Sequence, residues 1–248
     1  MNQEDLFKKY YETHFANVHP NIIDAELKNV EISYPYFYKQ FLPEDKESKI
    51  IDIGCGLGHF LYALKIMGYK NFEGIDLSIN NIKLVKEKIT PNAFVGDGFE
   101  YLSKKTGFYD IIHLKDVIEH IPKTRILDCL KIIFNALKPG GKVIIGTNNA
   151  LGSPSAVLMG RYMDFTHETI FSEWSLKQIL EIAGFDKVII LPTELNFKNL
   201  SFKGKIHYLI FKKPDYFFRK LYLRLTGIRP LPKILHWHMT AVAQRPKK

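Results

Sequence analysis

The chain has 248 residues, of which 46% are hydrophobic and 25% are charged, the balance of an ordinary globular protein. This length predicts one large α/β domain, or one domain with a small extension. No run of about 18 apolar residues is present, so no transmembrane helix is expected. Met1–Asp5 lack the basic and apolar regions of a signal peptide. Two scattered cysteines, Cys55 and Cys129, form neither a disulfide framework nor a metal motif, so we expect a cytoplasmic protein.

The formal net charge of +9 is unevenly distributed along the chain. Residues 195–248 contain thirteen Lys or Arg and one acid, which gives +12 and leaves −3 on residues 1–194. A charge run of this kind can be a solvated face, a surface for an anionic substrate, or a contact with a membrane surface. The sequence leaves these three interpretations open.

The N-terminal part of the chain has a helical pattern. Leu6, Tyr10 and His14 are spaced four apart, and a cluster of aromatic residues follows. This spacing predicts helix over residues 3–42. We therefore expect a helical cover, residues 1–44, in front of a core domain, residues 45–194.

The core has alternating strand and helix patterns. Strands are predicted at residues 49–54, 71–76, 92–96, 109–114, 142–147 and 187–191. Helices are predicted near residues 59–67, 79–88, 98–105 and 123–137, and a further helix begins after Ser172 and ends at Gly184. Such alternation produces right-handed βαβ units and therefore a doubly wound, mostly parallel sheet.

A glycine turn follows the first predicted strand. Gly54, Gly56 and Gly58 are spaced G-x-G-x-G, whereas the dinucleotide fingerprint is G-x-G-x-x-G. Asp52, just before the turn, would repel a pyrophosphate but could accept a hydrogen bond from an ammonium group. Asp76 ends the second strand, where such folds hold a ribose diol. A ribose with an amino-acid end and no pyrophosphate describes S-adenosylmethionine.

Five motifs in order resemble those of class I S-adenosylmethionine-dependent methyltransferases. They are Asp52–Gly58, Gly74–Ser78, Gly96–Gly98, Tyr109–Ile121 and Leu137–Gly141. The resemblance spans residues 45–190 and implies a seven-stranded, Rossmann-like sheet whose last strand, Ile234–Ala243, is antiparallel. The residues that it implies for cofactor binding are Asp52, Gly54, Cys55, Gly56, Gly58, Asp76, Leu77, Asp97, Gly98, Leu114 and Lys115. For Asp97, a helix cap is the structural alternative.

Acceptor-side residues are expected after the fourth and fifth strands, because ligands of such sheets bind at the carboxyl ends of the strands. A hydroxyl acceptor profits from a general base, and histidine suits that role near neutral pH. The candidates are His120 and His167, with Asp164 beside the latter. We favour His167, because its loop is long and lies further from the cofactor motifs. His113, within a strand, is predicted to pack in the core.

Residues 195–248 are expected to hold an insertion and the last strand of the same domain, and within them residues 201–229 alternate aromatic and basic side chains. This pattern predicts a basic helical insertion between strands six and seven. The insertion and the loop around His167 resemble those of methyltransferases from bacterial capsule and surface-polysaccharide clusters.

This resemblance implies methylation of a sugar, a nucleotide-linked sugar, or a phosphate or phosphoramidate group. A quinol or other small-molecule O-methyltransferase, a nucleic-acid methyltransferase and a non-catalytic cofactor-binding protein are the alternatives. The sequence predicts no metal and contains no recognisable RNA-binding module, and the oligomeric state is left open.

Overall fold

The computed structural model describes residues 23–152, 164–193, 202–227 and 229–247. The strands are β1 (Ile50–Ile53), β2 (Phe72–Asp76), β3 (Ala93–Val95), β4 (Tyr109–Lys115), β5 (Leu137–Asn148), β6 (Asp186–Pro192) and β7 (His238–Gln244). The α-helices are α1 (Ile23–Tyr38), α2 (His59–Ile66), α3 (Ile79–Lys88), α4 (Gly98–Ser103), α5 (Ile126–Ala136), α6 (Glu173–Ile182), α7 (Phe202–His207) and α8 (Lys213–Leu225). A 3₁₀ turn covers Ile118–His120, and a π-helical stretch, Tyr208–Lys212, joins α7 to α8.

The seven strands form one sheet in the order β3-β2-β1-β4-β5-β7-β6. β1 to β5 are parallel, and β7 runs antiparallel to β5 and β6. The order reverses between β1 and β4, which places the carboxyl ends of these strands at a topological switch point. The predicted fold, a doubly wound seven-stranded sheet with an antiparallel last strand, is confirmed.

Helices cover both faces of the sheet, because its central strands are apolar on both sides. All four residues of β1 are buried. One core cluster includes Leu130 and Ile133 of α5, and the other includes Leu61 and Leu64 of α2. This arrangement fixes the strand ends, and therefore the loops that follow them, in a rigid frame.

The described part of the N-terminal cover is α1. Its last residue, Tyr38, is buried and packs against the rings of Phe60 and His113. The remainder of the predicted N-terminal helix, residues 1–22, lies outside the described residues.

Besides α1, which ends at Tyr38 rather than at residue 42, two predicted strand starts were wrong. β7 begins at His238 rather than at Ile234, because side chains bind the backbone ahead of it. Glu173 accepts hydrogen bonds from the N–H groups of Lys233 and Ile234, and Asn149 donates to the carbonyls of Ile234 and His236. The second is the start of β5, which begins at Leu137, directly after α5 ends at Ala136, rather than at residue 142.

The predicted basic insertion is helical and lies between β6 and β7. α7, the π-helical stretch and α8 run without interruption from Phe202 to Leu225. Among the described residues, no helix is both long and apolar enough to cross a membrane.

Candidate active site

The turn between β1 and α2 has the backbone that its glycines allow. Gly54, Gly56 and Gly58 have φ angles of 65°, 52° and 78°, a region that other residues rarely adopt. A Cβ on Gly54 would lie 2.5 Å from Val117, so the loop after β4 packs directly on this turn. A Cβ on Gly56 would meet no atom within 4 Å. The turn therefore has open space above Gly56.

The N–H groups of this turn bind partners within the protein. Those of Gly54 and Cys55 donate to the Ile75 carbonyl at 2.8 and 3.1 Å, and that of Gly56 donates to Asp76 Oδ2 at 2.8 Å. A pyrophosphate site needs such groups directed at the ligand. The turn therefore fits a ligand without a pyrophosphate, as the glycine spacing predicts.

Asp76 is held at the end of β2 with both oxygens oriented. Its Oδ1 accepts from the N–H of Ser78 at 2.8 Å and from the amide of Asn81 at 3.3 Å, while Oδ2 faces Gly56. Burial raises the pKa of Asp76, and the hydrogen bonds from Ser78, Gly56 and Asn81 oppose that rise. The side chain is half-buried, so its oxygens can accept hydroxyl hydrogens of a diol at the sheet edge.

The other predicted cofactor residues lie along the same edge, in different environments. Leu77 is exposed after β2, and Leu114 is buried in β4, so only the backbone of Leu114 is placed for contact. Asp97 caps α4 by accepting from the N–H groups of Phe99 and Glu100. Gly98 is buried against Ile53, where a Cβ would be only 2.4 Å away. The cap and the packing are established, and the cofactor contacts remain predictions.

Asp52 is paired inside the protein. Its Oδ1 lies 2.6 Å from His113 Nδ1, and His113 Nε2 lies 3.2 Å from the Tyr38 hydroxyl. The ring of His113 also stacks on Phe60 with centroids 3.8 Å apart. The packed role predicted for His113 is confirmed, and the contact of Asp52 with an ammonium group remains a prediction.

Charged groups cluster after β4. Asp116 has a φ of 56° and lies 2.8 Å from Lys115 Nζ and 2.7 Å from His238 Nε2. Loss of solvation by the surrounding protein raises the pKa of Asp116. The interactions with Lys115 and His238 are stronger than this effect, so the pKa is lowered. The Asp116 charge in turn raises the pKa of Lys115. An ionised carboxylate therefore lies beside a cation at the carboxyl edge of the sheet.

Glu119 connects the loop after β4 to the loop before α6. Its backbone carbonyl accepts from the N–H groups of Glu168 and Thr169 at 2.8 and 3.1 Å. Its carboxyl group is buried and accepts from the Thr147 hydroxyl at 3.0 Å. Burial and the nearby Asp116 charge raise the pKa of Glu119 to about 8. These bonds hold the two loops together, and with them the two candidate histidines.

His120, Asp164 and Thr166 form a hydrogen-bonded chain. The Thr166 hydroxyl lies 2.6 Å from Asp164 Oδ1 and 2.8 Å from His120 Nδ1. The Thr166 hydroxyl has a single hydrogen and donates it to Asp164 Oδ1. His120 Nδ1 must then donate to Thr166, which leaves the lone pair of the ring on Nε2. Burial and the neighbouring His167 lower the pKa of His120 to about 4, so the ring is neutral at pH 7.

His167 completes the cluster. Its ring centroid lies 4.6 Å from that of His120, and its Nε2 lies 3.9 Å from Asp164 Oδ2. One possible ligand atom from each of His120, Asp164 and His167 lies within 4.8 Å of the others. Two imidazoles and a carboxylate suit either proton transfer or a divalent transition metal. All three predicted catalytic residues therefore meet at one place, and the predicted absence of a metal remains a prediction.

Sequence reasoning missed four residues of this site: Thr166, Asp116, Glu119 and His238. Asp116, Glu119 and His120 have a D-x-x-E-H spacing after a strand, and this was a usable signal for the first two. Thr166 lies between two recognised residues. His238 gives no local signal, because it meets Asp116 only through the pairing of β7 with β5.

A family model described as a methyltransferase domain matches residues 33–189, so the chain belongs to that family. Family membership, the glycine turn and Asp76 together define an S-adenosylmethionine-dependent methyltransferase. The motifs from which the sequence analysis inferred this class are the ones that build the site.

Relatives of known activity match the core. The chain is 32% identical to phosphoethanolamine N-methyltransferase 1 of Zea mays over 146 residues, which cover 57% of this chain and 28% of that protein. It is 28% identical to a tRNA U34 carboxymethyltransferase of Desulfotalea psychrophila over 135 residues, 52% of this chain and 41% of that protein. The chain thus spans less than half the length of these curated relatives.

Solved structures share the fold across nearly the whole chain. A methyltransferase of Archaeoglobus fulgidus superposes with a TM-score of 0.64 at 21% identity, covering 94% of this chain and 99% of that one. Phosphoethanolamine N-methyltransferase 2 of Haemonchus contortus, solved with S-adenosyl-L-methionine, superposes with a TM-score of 0.61 at 19% identity, covering 97% of this chain and 60% of that one.

Proposed function

We propose that this methyltransferase O-methylates the hydroxyl of an anionic sugar, such as a nucleotide-linked sugar or a sugar phosphate, in capsular or surface-polysaccharide biosynthesis. The observation that carries the proposal is the chain from Asp164 through Thr166 to His120. It holds a neutral imidazole with its lone pair on Nε2. A hydroxyl must lose a proton when it is methylated, whereas an already anionic phosphate oxygen needs no base.

Two elements fit the cofactor. Asp76 would accept hydrogen bonds from the ribose hydroxyls, and the open space above Gly56 would admit the amino-acid end. The cofactor supplies an electrophilic methyl group on a sulfonium centre, so the donor side requires no proton transfer. The protein is left with aligning the acceptor, excluding water and taking up one proton.

His120 is the proposed base. As the new oxygen–carbon bond forms and the carbon–sulfur bond breaks, the hydroxyl proton moves to His120 Nε2. Thr166 accepts from Nδ1 throughout, and the carboxylate of Asp164 stabilises the resulting imidazolium through Thr166. The hydrogen bonds therefore favour His120 as the base, in place of the His167 that the sequence analysis preferred, and leave His167 to position the acceptor.

The charge beside the site supports an anionic acceptor. Lys115 lies at the end of β4, next to the loop that carries His120. The C-terminal segment adds a net +12 between residues 195 and 248. Although Asp116 pairs with Lys115, the net positive charge of the C-terminal segment attracts anionic ligands.

A second candidate is N-methylation of a phosphorylated amine. Asp116 favours it, because a carboxylate with a lowered pKa can hold an ammonium group. The similarity to phosphoethanolamine N-methyltransferases points the same way. An ammonium group must also lose a proton before methylation, so His120 would serve both reactions.

An acceptor screen separates these functions. The protein would be incubated with a radiolabelled methyl donor and a panel of nucleotide sugars, sugar phosphates, their dephosphorylated counterparts, phosphoethanolamine, a quinol and RNA, with Asp76→Ala as the cofactor-site control. We expect labelling of an anionic sugar that falls when its phosphate is removed. Labelling of phosphoethanolamine alone would support the second candidate, and labelling of a quinol or of RNA would contradict both.

A further inference from the structure

The helical segment Phe202–Leu225 has no part in the cofactor site. It comprises α7, the π-helical stretch and α8, and no residue in any of the three is buried. Helices of proteins owe most of their stability to an apolar face that is covered. This segment is about 36 Å long at 1.5 Å per residue, and many of its apolar side chains are exposed in the part of the chain that the structure describes.

One face of α8 attaches the segment to the protein. Arg219 donates to the carbonyl of Leu235 at 2.7 Å and pairs with Asp215. The ring of Tyr216 lies 5.8 Å from that of His236. Residues 235–236 lead into β7, whose first residue pairs with Asn148 at the end of β5. The segment is therefore anchored at the carboxyl edge of the sheet, the edge that carries the candidate active site.

The opposite face of α8 is apolar and exposed. Five large side chains at helical spacing present 40–77% of their surface to solvent: Phe217, Phe218, Leu221, Tyr222 and Leu225. Phe202, Leu209, Ile210 and Phe211 extend the exposed apolar surface along α7 and the π-helical stretch. Exposed apolar patches of this extent mark an interaction site.

Basic residues accompany the apolar stripe. The helical segment carries seven Lys or Arg and one acid, Asp215. Lys213, Lys220 and Arg224 follow one another at spacings of seven and four, so they lie on one side of α8 beside the stripe. All three are exposed. A helix with an apolar face and a basic border is the pattern of a helix that lies in a membrane interface.

We propose that Phe202–Leu225 docks this protein on an anionic lipid surface, with the apolar stripe in the interface and the bases against lipid headgroups. A second copy of the chain is a poorer occupant, because it would bring two strongly basic segments together. The anchoring at Leu235 and His236 places the sheet edge that carries the active site beside the membrane. The proposal does not depend on the identity of the acceptor.

Vesicle flotation tests the proposal on the full chain. Vesicles of phosphatidylcholine with about a third phosphatidylglycerol are compared with vesicles of phosphatidylcholine alone, at low and high salt. The apolar variant is Phe217→Ser with Leu221→Ser and Leu225→Ser. Its control replaces exposed apolar residues elsewhere, Ile32→Ser with Ile66→Ser and Ile182→Ser.

The charge variant is Lys213→Ser with Lys220→Ser and Arg224→Ser, and its control is Lys83→Ser with Lys86→Ser and Lys88→Ser on α3. We expect the wild type and both controls to float with the anionic vesicles, and each segment variant to bind at least about tenfold more weakly. Circular dichroism and cofactor binding check that every variant is folded.

Three outcomes would overturn the proposal. The first is equal binding of the wild type to both vesicle types, or to neither. The second is wild-type binding of the apolar variant to the anionic vesicles. This result would mean that the apolar stripe does not enter the lipid and that the segment is only a basic surface for anions. The third is a dimer in light scattering that the apolar variant abolishes while vesicle binding is absent, which would assign the stripe to a second copy.

Discussion

At the scale of single residues, Thr166 determines what His120 can do. A histidine ring can carry its proton on either nitrogen, and the bond made by one nitrogen decides the state of the other. Here Asp164 takes the hydroxyl hydrogen of Thr166, so His120 Nδ1 must donate and Nε2 keeps its lone pair. The sequence analysis identified His120 and Asp164 as candidates, but it did not identify Thr166, which connects them.

Substitutions of His120 and Thr166 test this arrangement. On the identified acceptor, His120→Ala should lower kcat by about 10²–10⁴-fold, the usual contribution of a general base. Thr166→Val should lower kcat as well, because Nδ1 loses its acceptor and the tautomer is no longer fixed, and Thr166→Ser should restore it. Cofactor affinity should be unchanged in all three. Wild-type turnover in both His120→Ala and His167→Ala would leave alignment as the whole mechanism.

Chelation distinguishes a base from a metal ligand at the same residues. If His120 acts as a base, dialysis against a chelator should leave kcat unchanged, and metal analysis of the purified protein should find less than one equivalent. If His120, Asp164 and His167 hold a divalent ion, activity should be lost and should return on adding that ion. The second result would contradict the expectation that the protein needs no metal.

Asp76 should dominate cofactor affinity. Asp76→Ala removes the proposed acceptor for the ribose hydroxyls, which should cost about 1.5–3 kcal/mol in cofactor affinity, the usual value for bonds to a charged group. Isothermal titration calorimetry with S-adenosylmethionine measures this cost. Asp128→Ala, which removes an exposed acid from α5, is the matched control. Unchanged affinity in Asp76→Ala, or tight binding of NAD by the wild type, would contradict the proposed cofactor geometry.

At the scale of elements, the loops are positioned by bonds between segments that are distant in the chain. The Glu119 carbonyl binds the backbone of Glu168 and Thr169, and the carboxylate of Glu173 binds the backbone of Lys233 and Ile234. These bonds explain why the chain before β7 is irregular although its sequence alternates like a strand. They also place Leu235 and His236, which contact α8, next to the start of α6.

The Glu173 bonds can be tested by substitution. Glu173→Gln keeps the size of the side chain but has one acceptor oxygen for two N–H groups. A hydrogen bond to a charged group typically contributes about 1.5–3 kcal/mol, so the free energy of unfolding in urea should fall by about that amount. Glu181→Gln, at an exposed position of the same helix, is the control. Equal stability of both variants would mean that residues 233–236 are held in place by other contacts.

At the scale of the whole molecule, titration of the buried site should set the pH dependence of stability. Glu119 has a pKa of about 8 in the folded protein against 4.5 ordinarily, so the folded state holds a proton that the unfolded chain has lost between these values. His120 has a pKa of about 4 against 6.5, so the unfolded chain binds the extra proton in that interval. The two effects oppose each other below pH 6.5, and Glu119 acts alone above it.

The free energy of unfolding should therefore fall as the pH rises from about 6.5 to about 8, by on the order of 1–2 kcal/mol, since one proton contributes about 1.4 kcal/mol per pH unit. Urea titrations at both pH values measure the change. Glu119→Gln cannot ionise and should have the flatter profile. A wild-type profile parallel to that of Glu119→Gln would mean that Glu119 is already ionised in the folded state.

The sequence by itself determined the class of protein and the sheet, and it predicted which residues form the cofactor half of the site. Strands buried on both faces are largely apolar, and a glycine turn needs particular residues at fixed spacing, so both are visible within short windows. Gly54, Gly56, Gly58 and Asp76 could be proposed as cofactor-site residues for this reason. The candidate histidines could be identified too, because they follow strands whose carboxyl ends must meet at one edge.

Only the tertiary structure decided how the acceptor half is organised. His238 reaches Asp116 through the pairing of β7 with β5, and Thr166 reaches His120 because Glu119 joins two loops. The uncovered face of α8 is likewise a property of the assembled molecule, since an apolar stripe in sequence does not reveal whether the fold covers it. Each of these contacts joins residues far apart in the chain, and hydrogen bonds over such separations leave no periodic signal in the sequence.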